Sequence, residues 1–311
     1  MISVVLSTYN GERTLPLTLE ALEGVQVPEG GVEFIVVDNA STDATPRILD
    51  RFAPRLNLIV LHEPRRGKSH AINTGLDRAQ GDLIVLTDDD VLPVPGWLTA
   101  YAEAAAAHPE AGVFAGQVRH HWQKTPPDWL VRLAEEGRSF AGTPIGLEDG
   151  PMGFAHVKGL NLMTRREVKS QVRFSDATGV NFGADKGAPG GEDTDFVKRA
   201  VAAGYELRFV SAACVKHIVR PEQVGLRPVV DRYIRIGRAN SLLTPPPREM
   251  ATLFGYPRYV FRVIPRDLAK ATANWLRGDR YHGANKLIDV AMVWGRAIER
   301  KRDARTRGEA S

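Results

Sequence analysis

No run of about 18 apolar residues occurs in the 311-residue chain, so no segment is expected to cross a bilayer as a helix. There is a single cysteine, Cys214, which excludes an internal disulfide and makes a reducing cytoplasm the expected compartment. The opening stretch, MISVVLSTYN, has neither a basic segment ahead of its apolar run nor a cleavage site, so no leader is expected. Excess charge of either sign is small. The formal net charge is +4, which does not by itself imply a nucleic-acid partner, and none is expected. Two phosphate-binding signatures are also missing. RRGKS (65–69) ends like a P-loop, but His62 stands where such a loop carries its first glycine, and no G-x-G-x-x-G follows the first apolar run. These absences exclude the P-loop and the usual dinucleotide fingerprint.

What is present is an alternation. SVVLS (3–7), EFIVVD (33–38), LNLIVL (56–61) and DLIVLT (82–87) are short apolar runs that predict strands. Between them lie helical patterns: Leu15, Leu19 and Leu22; STDATPRILDRF with Ser41 or Thr42 as N-cap; and GKSHAINTGLDRAQG (67–81), closed by Gly81. Short buried strands alternating with amphipathic helices predict an α/β fold whose mainly parallel sheet is covered on both faces. Ligands in such sheets sit beyond the carboxyl ends of the strands, which is where Asp38 and Asp88, Asp89 and Asp90 fall. From about 119 to 190 the pattern is less regular, with prolines at 126–127 and APGGE at 188–192, and predicts loops around a strand near VKGLNLM (157–163). A helix from Glu192 to Ala203 follows, capped by Gly204, then a strand over YELRFV (205–210). From about 227 the chain reads as helical, broken by Pro245-Pro246-Pro247, with Leu287, Val290, Ala291, Trp294 and Ile298 at helical spacing near the end.

The aspartates carry the chemistry. Asp88 and Asp90 are two residues apart where the chain turns, so both carboxylates can converge on one cation. Two unit charges ~4 Å apart repel by roughly 4 kcal/mol at an effective dielectric of about 20. A divalent cation, Mn²⁺ or Mg²⁺, reverses that sign, and a diphosphate completes its shell. The competing reading is a solvated acidic turn that caps a helix. Arg66-Gly67-Lys68 opens a helix whose N–H groups and ammonium suit a phosphate, or is a plain helix start. Glu192, Asp193 and Asp195 are ordinary first-turn acids unless the preceding glycines bring them against a ligand. Cys214 and His217 have C-x-x-H spacing, but two residues make no zinc site, and His120-His121 has no support either.

Taken in order, SVVLSTYNG, FIVVDNASTDAT, GKSHAINTGL, GDLIVLTDDDVLP, VKGLNLMTRRE and GGEDTDFVKRAVAAGYELRFV resemble glycosyltransferase family 2 over about residues 2–220. The resemblance implies a GT-A fold: an α/β, Rossmann-like sheet flanked by helices, with a catalytic domain over 1–225 and a helical extension with a basic tail over 226–311. It implies an enzyme that uses a nucleotide-sugar donor and a glycan or lipid-linked acceptor, with a metal-bound pyrophosphate beside Asp88 and Asp90. By position, Ser7 and Tyr9 would border the base and ribose, and Asp38 would bond the uracil or ribose. Lys68, Asp88, Asp89, Asn161 and Glu192 would face the donor, and His217 would add a metal or phosphate contact. Asp193, in the family's E-D pair, would be the general base of an inverting transfer. One departure is plain: where many relatives carry A-R-N, this chain has Ala71-Ile72-Asn73, which removes an expected arginine.

Polymerising members of the family usually carry Q-x-x-R-W. The comparable region here, DRYIRIGRAN, lacks it, which favours a single addition. From Arg258 on, basic residues recur among Tyr256, Tyr259, Trp275 and Trp294, a composition that suggests peripheral contact with the inner face of a membrane, or else a packing subdomain. Two other functions compete. A sugar-phosphate nucleotidyltransferase would carry a Gly-rich basic loop after the first strand, which STYNGERTL does not supply. A catalytically inactive binding module of the same fold would be expected to have lost Asp90 or Asp193, and both are present.

Overall fold

A computed structural model of the chain describes residues 1–175, 190–244 and 250–306. The expected break at Pro245–Pro247 and the first part of APGGE lie outside the described residues. In chain order the elements are β1 (Ile2–Thr8), α1 (Leu15–Glu23), β2 (Val32–Asp38), α2 (Thr45–Leu56), β3 (Ile59–His62), α3 (Lys68–Arg78), β4 (Leu83–Asp88) and β5 (Val91–Pro93). Then come α4 (Trp97–Ala107), β6 (Ala111–Trp122), α5 (Asp128–Glu135), β7 (Gly150–Pro151), β8 (Asn161–Arg165), α6 (Arg166–Gln171), α7 (Glu192–Ala202) and β9 (Glu206–Val219). The chain closes with α8 (Leu226–Leu243), β10 (Thr252–Leu253), β11 (Tyr256–Pro257), α9 (Val260–Leu276) and α10 (Arg280–Thr306).

The described residues form two compact units. One contains Met1–Gln123, Glu192–Val219 and most of the chain between them; the other contains Lys124–Leu133 and the chain from Arg220 on. The first is built on a nine-stranded sheet in the order β3-β2-β1-β4-β8-β6-β9-β5, with β7 also on β9. Pairing is parallel through β3-β2-β1-β4 and between β6 and β9, and antiparallel at β8, β5 and β7. Strand periodicity of two explains how both faces are filled. Val4, Leu6, Phe34, Val36 and Val85 point into a core shared with α1, α2 and α4. Val5, Ile35, Val37, Ile84 and Leu86 point into the opposite core with α3, α6 and α7. This is the α/β sheet flanked by helices that the alternation predicts. The order reverses at β1 and β4, and their carboxyl ends, Thr8 and Asp88, open the crevice where such sheets bind ligands.

Several boundaries differ from the sequence reading. Leu56 ends α2 instead of opening a strand, because Asn57 at φ 49° takes the left-handed cap position and β3 starts only at Ile59. Neither Ser41 nor Thr42 caps α2, which begins at Thr45; Ser41 Oγ instead accepts the Asn10 N–H and Thr42 N–H donates to Asn10 Oδ1, tying the β1 exit to the β2 exit. Gly81 lies beyond the end of α3. Its N–H donates to Ser3 Oγ, and a Cβ there would lie 2.5 Å from the Ser3 nitrogen, so the glycine serves a close approach to β1. The irregular middle holds a helix, α5, and β9 runs on to Val219, well past the predicted YELRFV. The second unit contains α8, α9, α10 and the short β10–β11 hairpin.

Candidate active site

Each predicted residue of the first strand ends is at the crevice. Ser7 and Thr8 close β1 in register with Val37 and Asp38 of β2, so Ser7, Tyr9 and Asp38 are gathered by strand pairing alone. Asp38 is buried; its Oδ1 accepts the Ser41 N–H at 3.1 Å and its Oδ2 lies 3.6 Å from His62 Nδ1. The Arg66 guanidinium lies 5.6 Å from the Tyr9 ring centre.

The loop into α3 is held by a residue the sequence reading passed over. Asn39 is fully buried; its Nδ2 donates to the carbonyls of Glu63 and Arg65, and its Oδ1 accepts the Gly67 N–H at 2.8 Å. Gly67, at φ 141°, is in backbone territory that favours glycine, and it turns the chain so that Lys68 becomes the first residue of α3. Lys68 Nζ sits 2.6 Å from Asp88 Oδ1 and 3.8 Å from Glu192 Oε1. Burial disfavours the ammonium, but Asp88, Glu192 and Asp193 outweigh it and hold the Lys68 proton more tightly than usual. Glu192, at the start of α7, is buried, and its pKa is raised by that burial against the pull of Lys68. Its Oε2 is buried with no hydrogen-bond partner, which makes it the unsatisfied acceptor of the group.

The three aspartates have separate partners. Asp88 faces Lys68. Asp89 turns inward and accepts the Thr8 hydroxyl at 2.5 Å; burial and the neighbouring Asp90 push its pKa up to about 7. A Cβ on Gly11 would lie 2.4 Å from that hydroxyl and 2.6 Å from Asp89 Oδ2, so the Asn10-Gly11 turn leaves room for the bond. Asp90 Oδ2 lies 3.2 Å from His217 Nε2. Strand register causes this: β5 pairs with β9 at Val91↔His217, and the Ile218 N–H donates to the Asp90 carbonyl. His217 is buried, and its Nδ1 is 2.7 Å from the Phe140 carbonyl oxygen, which can only accept. Nδ1 therefore carries the proton, and Nε2 is presented to Asp90. A neutral imidazole would set two acceptors against each other there. A shared proton or a shared cation removes the conflict, and an imidazole–carboxylate pair whose second nitrogen is fixed by a carbonyl is a donor set suited to a transition metal such as Mn²⁺.

The predicted metal set of Asp88, Asp90 and His217 is thus brought together only in part, since Asp88 is engaged by Lys68. Among the described residues, no group of three or more His, Cys, Asp or Glu side chains is arranged as a metal cage. Cys214 and His217, three apart on one strand, point to opposite faces.

Asp193 is oriented by two backbone amides: Gly159 N–H donates to Oδ2 at 2.7 Å and Thr194 N–H to Oδ1 at 2.8 Å. A Cβ on Gly159 would lie 2.7 Å from the Asp193 Cβ, so this glycine permits the approach. Asn161 corrects the sequence reading. It is fully buried; Oδ1 accepts from Trp97 Nε1 and the Tyr101 hydroxyl, and Nδ2 donates to the carbonyls of Gln117 and Ala213. Its amide has no capacity left, so Asn161 braces α4, β6 and β9 instead of lining a donor site. Asn39 was signalled by its place after Asp38 in the DNAS stretch. Phe140 had no sequence signal, because its carbonyl and its φ of 43° do the positioning.

The family model for glycosyl transferase family 2 matches residues 3–169. The succinoglycan biosynthesis protein ExoM of Rhizobium meliloti is 28% identical over 245 residues, 78% of this chain and 74% of that protein. Glycosyltransferase AglE of Haloferax volcanii is 27% identical over 222 residues, 71% of this chain and 67% of its own length. Among solved structures, Staphylococcus aureus TarS 1–349 in complex with UDP superposes with a TM-score of 0.54 at 17% identity, covering 99% of this chain and 91% of that one. The mannosyltransferase PcManGT of Pyrobaculum calidifontis, in complex with GDP-Man and Mn²⁺, gives 0.51 at 23% identity, covering 98% and 75%. These structural likenesses concern the fold, which is GT-A. With the family model covering more than half of its length, the chain belongs to glycosyl transferase family 2 and is a glycosyltransferase.

Proposed function

We propose that this glycosyltransferase moves a sugar from a nucleotide-sugar, a UDP-sugar first, to an acceptor hydroxyl with inversion and with help from a divalent cation, as one step in building a cell-surface polysaccharide or lipid-linked glycan. The observation that carries the reading is the division of labour among consecutive aspartates: Asp88 on Lys68 and Asp90 on His217, at the carboxyl ends of β1 and β4.

Asp90 and His217 would hold the cation; when bound it would neutralise charge developing on the departing diphosphate. Lys68 keeps its ammonium charged at neutral pH and, with Asp88 as its anchor, would meet a phosphate oxygen as a point charge. Ser7, Tyr9 and Asp38 would border the base and ribose. Asp193, with both oxygens on backbone amides, would take the proton of the acceptor hydroxyl. That oxygen forms the new bond to the anomeric carbon as the bond from that carbon to the phosphate oxygen breaks. Attack from the opposite side inverts the configuration. The relative named for succinoglycan biosynthesis supports a polysaccharide product, and the missing Q-x-x-R-W supports a single addition.

Calorimetric titration of UDP, GDP and dTDP into the full chain, with and without Mn²⁺, tests the reading. One nucleotide is expected to bind, more tightly with Mn²⁺, and Asp90→Asn is expected to abolish the metal effect. Asp193→Asn should bind that nucleotide normally while its transfer rate falls by about 10²–10⁴-fold. Binding of no nucleotide under either condition would overturn the proposal.

A further inference from the structure

The second unit exposes apolar side chains in a pattern that composition alone does not explain. Leu276 and Phe254 are the most exposed large apolar residues among those described, at 84% and 79%. Phe254, at φ 51°, and Gly255, at φ 74°, form the tip between β10 and β11, so the hairpin points an aromatic ring into solvent. The Phe254 ring meets that of Phe261 edge to face at 6.4 Å, which joins the hairpin tip to the first turn of α9.

Along α9 the residues sort into three sectors at about 100° per residue. Val260, Asp267 and Ala271 form the buried sector. Phe261, Leu268 and Trp275 recur every seven residues, with Pro265 and Leu276 beside them, and every one of these is exposed. Next round the helix come Arg262, Arg266, Lys270 and Arg277, also exposed. In that row Arg266 pairs with Asp267 at 2.8 Å, and Lys270 lies within electrostatic reach of the same carboxylate. Arg258 precedes the helix and is exposed. A surface helix of a monomer normally has one apolar sector, facing its core. This one has a second, outward-facing sector bordered by cations.

We propose that the β10–β11 tip and the outer face of α9 form an interfacial patch that seats the chain on an anionic lipid bilayer. Phe254, Phe261, Leu268 and Leu276 enter the boundary between headgroups and acyl chains, and Arg258, Arg262, Lys270 and Arg277 meet lipid phosphates. Charge selects the bilayer over a second copy of the chain. Two copies pairing through this stripe would bring the same basic rows together, whereas anionic headgroups complement them. The inference stands apart from the proposed chemistry, since it concerns only the second unit.

Flotation of the full chain with phosphatidylcholine vesicles, and with vesicles also containing about one-third phosphatidylglycerol, tests it. The wild type is expected to float with the anionic vesicles only, and to be released by about 0.5 M salt. Phe254→Ser with Phe261→Ser, and separately Arg262→Gln with Arg277→Gln, should each weaken binding about tenfold or more. Transfer to a water-soluble acceptor should be unchanged in both. The charge pair decides the matter if the aromatic pair fails to fold. Absence of wild-type flotation, equal binding to both vesicle types, or full binding by the charge pair would overturn the proposal. So would a wild-type dimer in sedimentation that the aromatic substitutions dissolve.

Discussion

Asp88, Asp89 and Asp90 are one tripeptide with three environments, and the difference is set by what each side chain meets across the sheet. Asp88 meets Lys68 from α3, Asp89 meets Thr8 from β1, and Asp90 meets His217 from β9. Sequence spacing placed all three at a strand end but gave no means of choosing among partners that lie 20 to more than 100 residues away. The same limit applies to Asn161, whose four side-chain amide hydrogen bonds reach α4, β6 and β9. Glu63 shows how such unseen partners matter. It is buried, takes a forked contact from Arg65 and the hydroxyl of Thr74, and supports the loop that Asn39 clamps ahead of Lys68. The Arg65 hydrogen bonds hold its pKa down to about 2, against burial. In the unfolded chain its value is near 4.3. The folded state therefore binds the proton less readily, and the resulting stability is present above about pH 4 and lost as the pH falls towards 2. Glu63→Gln should lower stability at pH 7 by about 2 kcal/mol, and the gap between variant and wild type should close towards pH 2. Urea midpoints at pH 7, 4 and 2.5 would show it; a gap that does not change with pH would assign the cost to packing.

At the scale of elements, the parallel strands were legible because they are buried on both faces and so read as short continuous apolar runs. Their ends were less so, since Leu56 suits a helix or a strand and only the left-handed Asn57 decides. The helical C-terminal extension was also legible, but not how its helices meet. Gly237 on α8 and Gly295 on α10 do this reciprocally: a Cβ at the first would lie 2.2 Å from the Met292 carbonyl oxygen, and at the second 2.0 Å from that of Ile234. Both neighbours are backbone, which cannot rotate aside. Arg238 and the buried Glu299 close the same crossing with an ion pair at 2.7 Å. Gly295→Ala must push the helices apart, at a cost of about 1–3 kcal/mol, despite alanine's better helix propensity. A melting temperature lowered by several degrees is expected, whereas Gly153→Ala, with open space around it and an ordinary φ of −90°, should leave it unchanged. Equal melting of both variants and the wild type would show that the crossing has slack.

At the scale of the whole molecule, folding gathers Asp88, Asp89, Asp90, Glu192 and Asp193 at one end of the sheet, with Lys68 as a cation among them. Such a cluster is costly to hold: burial first, and the neighbouring carboxylates second, raise the pKa values of Asp89 and Glu192, and the orphaned Glu192 Oε2 adds an unmet hydrogen bond. The unfolded chain separates Lys68, the aspartates at 88–90 and the acids at 192–193, and so has no such site. On the proposed function, a cation with a nucleoside diphosphate would bind the folded state alone and stabilise it by mass action, by about 2.7 kcal/mol at a hundred times the dissociation constant. For a sheet unit of roughly 200 residues that corresponds to a rise of about 5–10 °C in melting temperature. Calorimetric melts with Mn²⁺, with the nucleotide, and with both should show the pair exceeding the sum of the two singly. Asp90→Asn should erase the excess while leaving the unliganded melt at or above the wild-type value, since it removes a repelling charge. A nucleotide effect that ignores Mn²⁺ would instead place the phosphates on Lys68 alone.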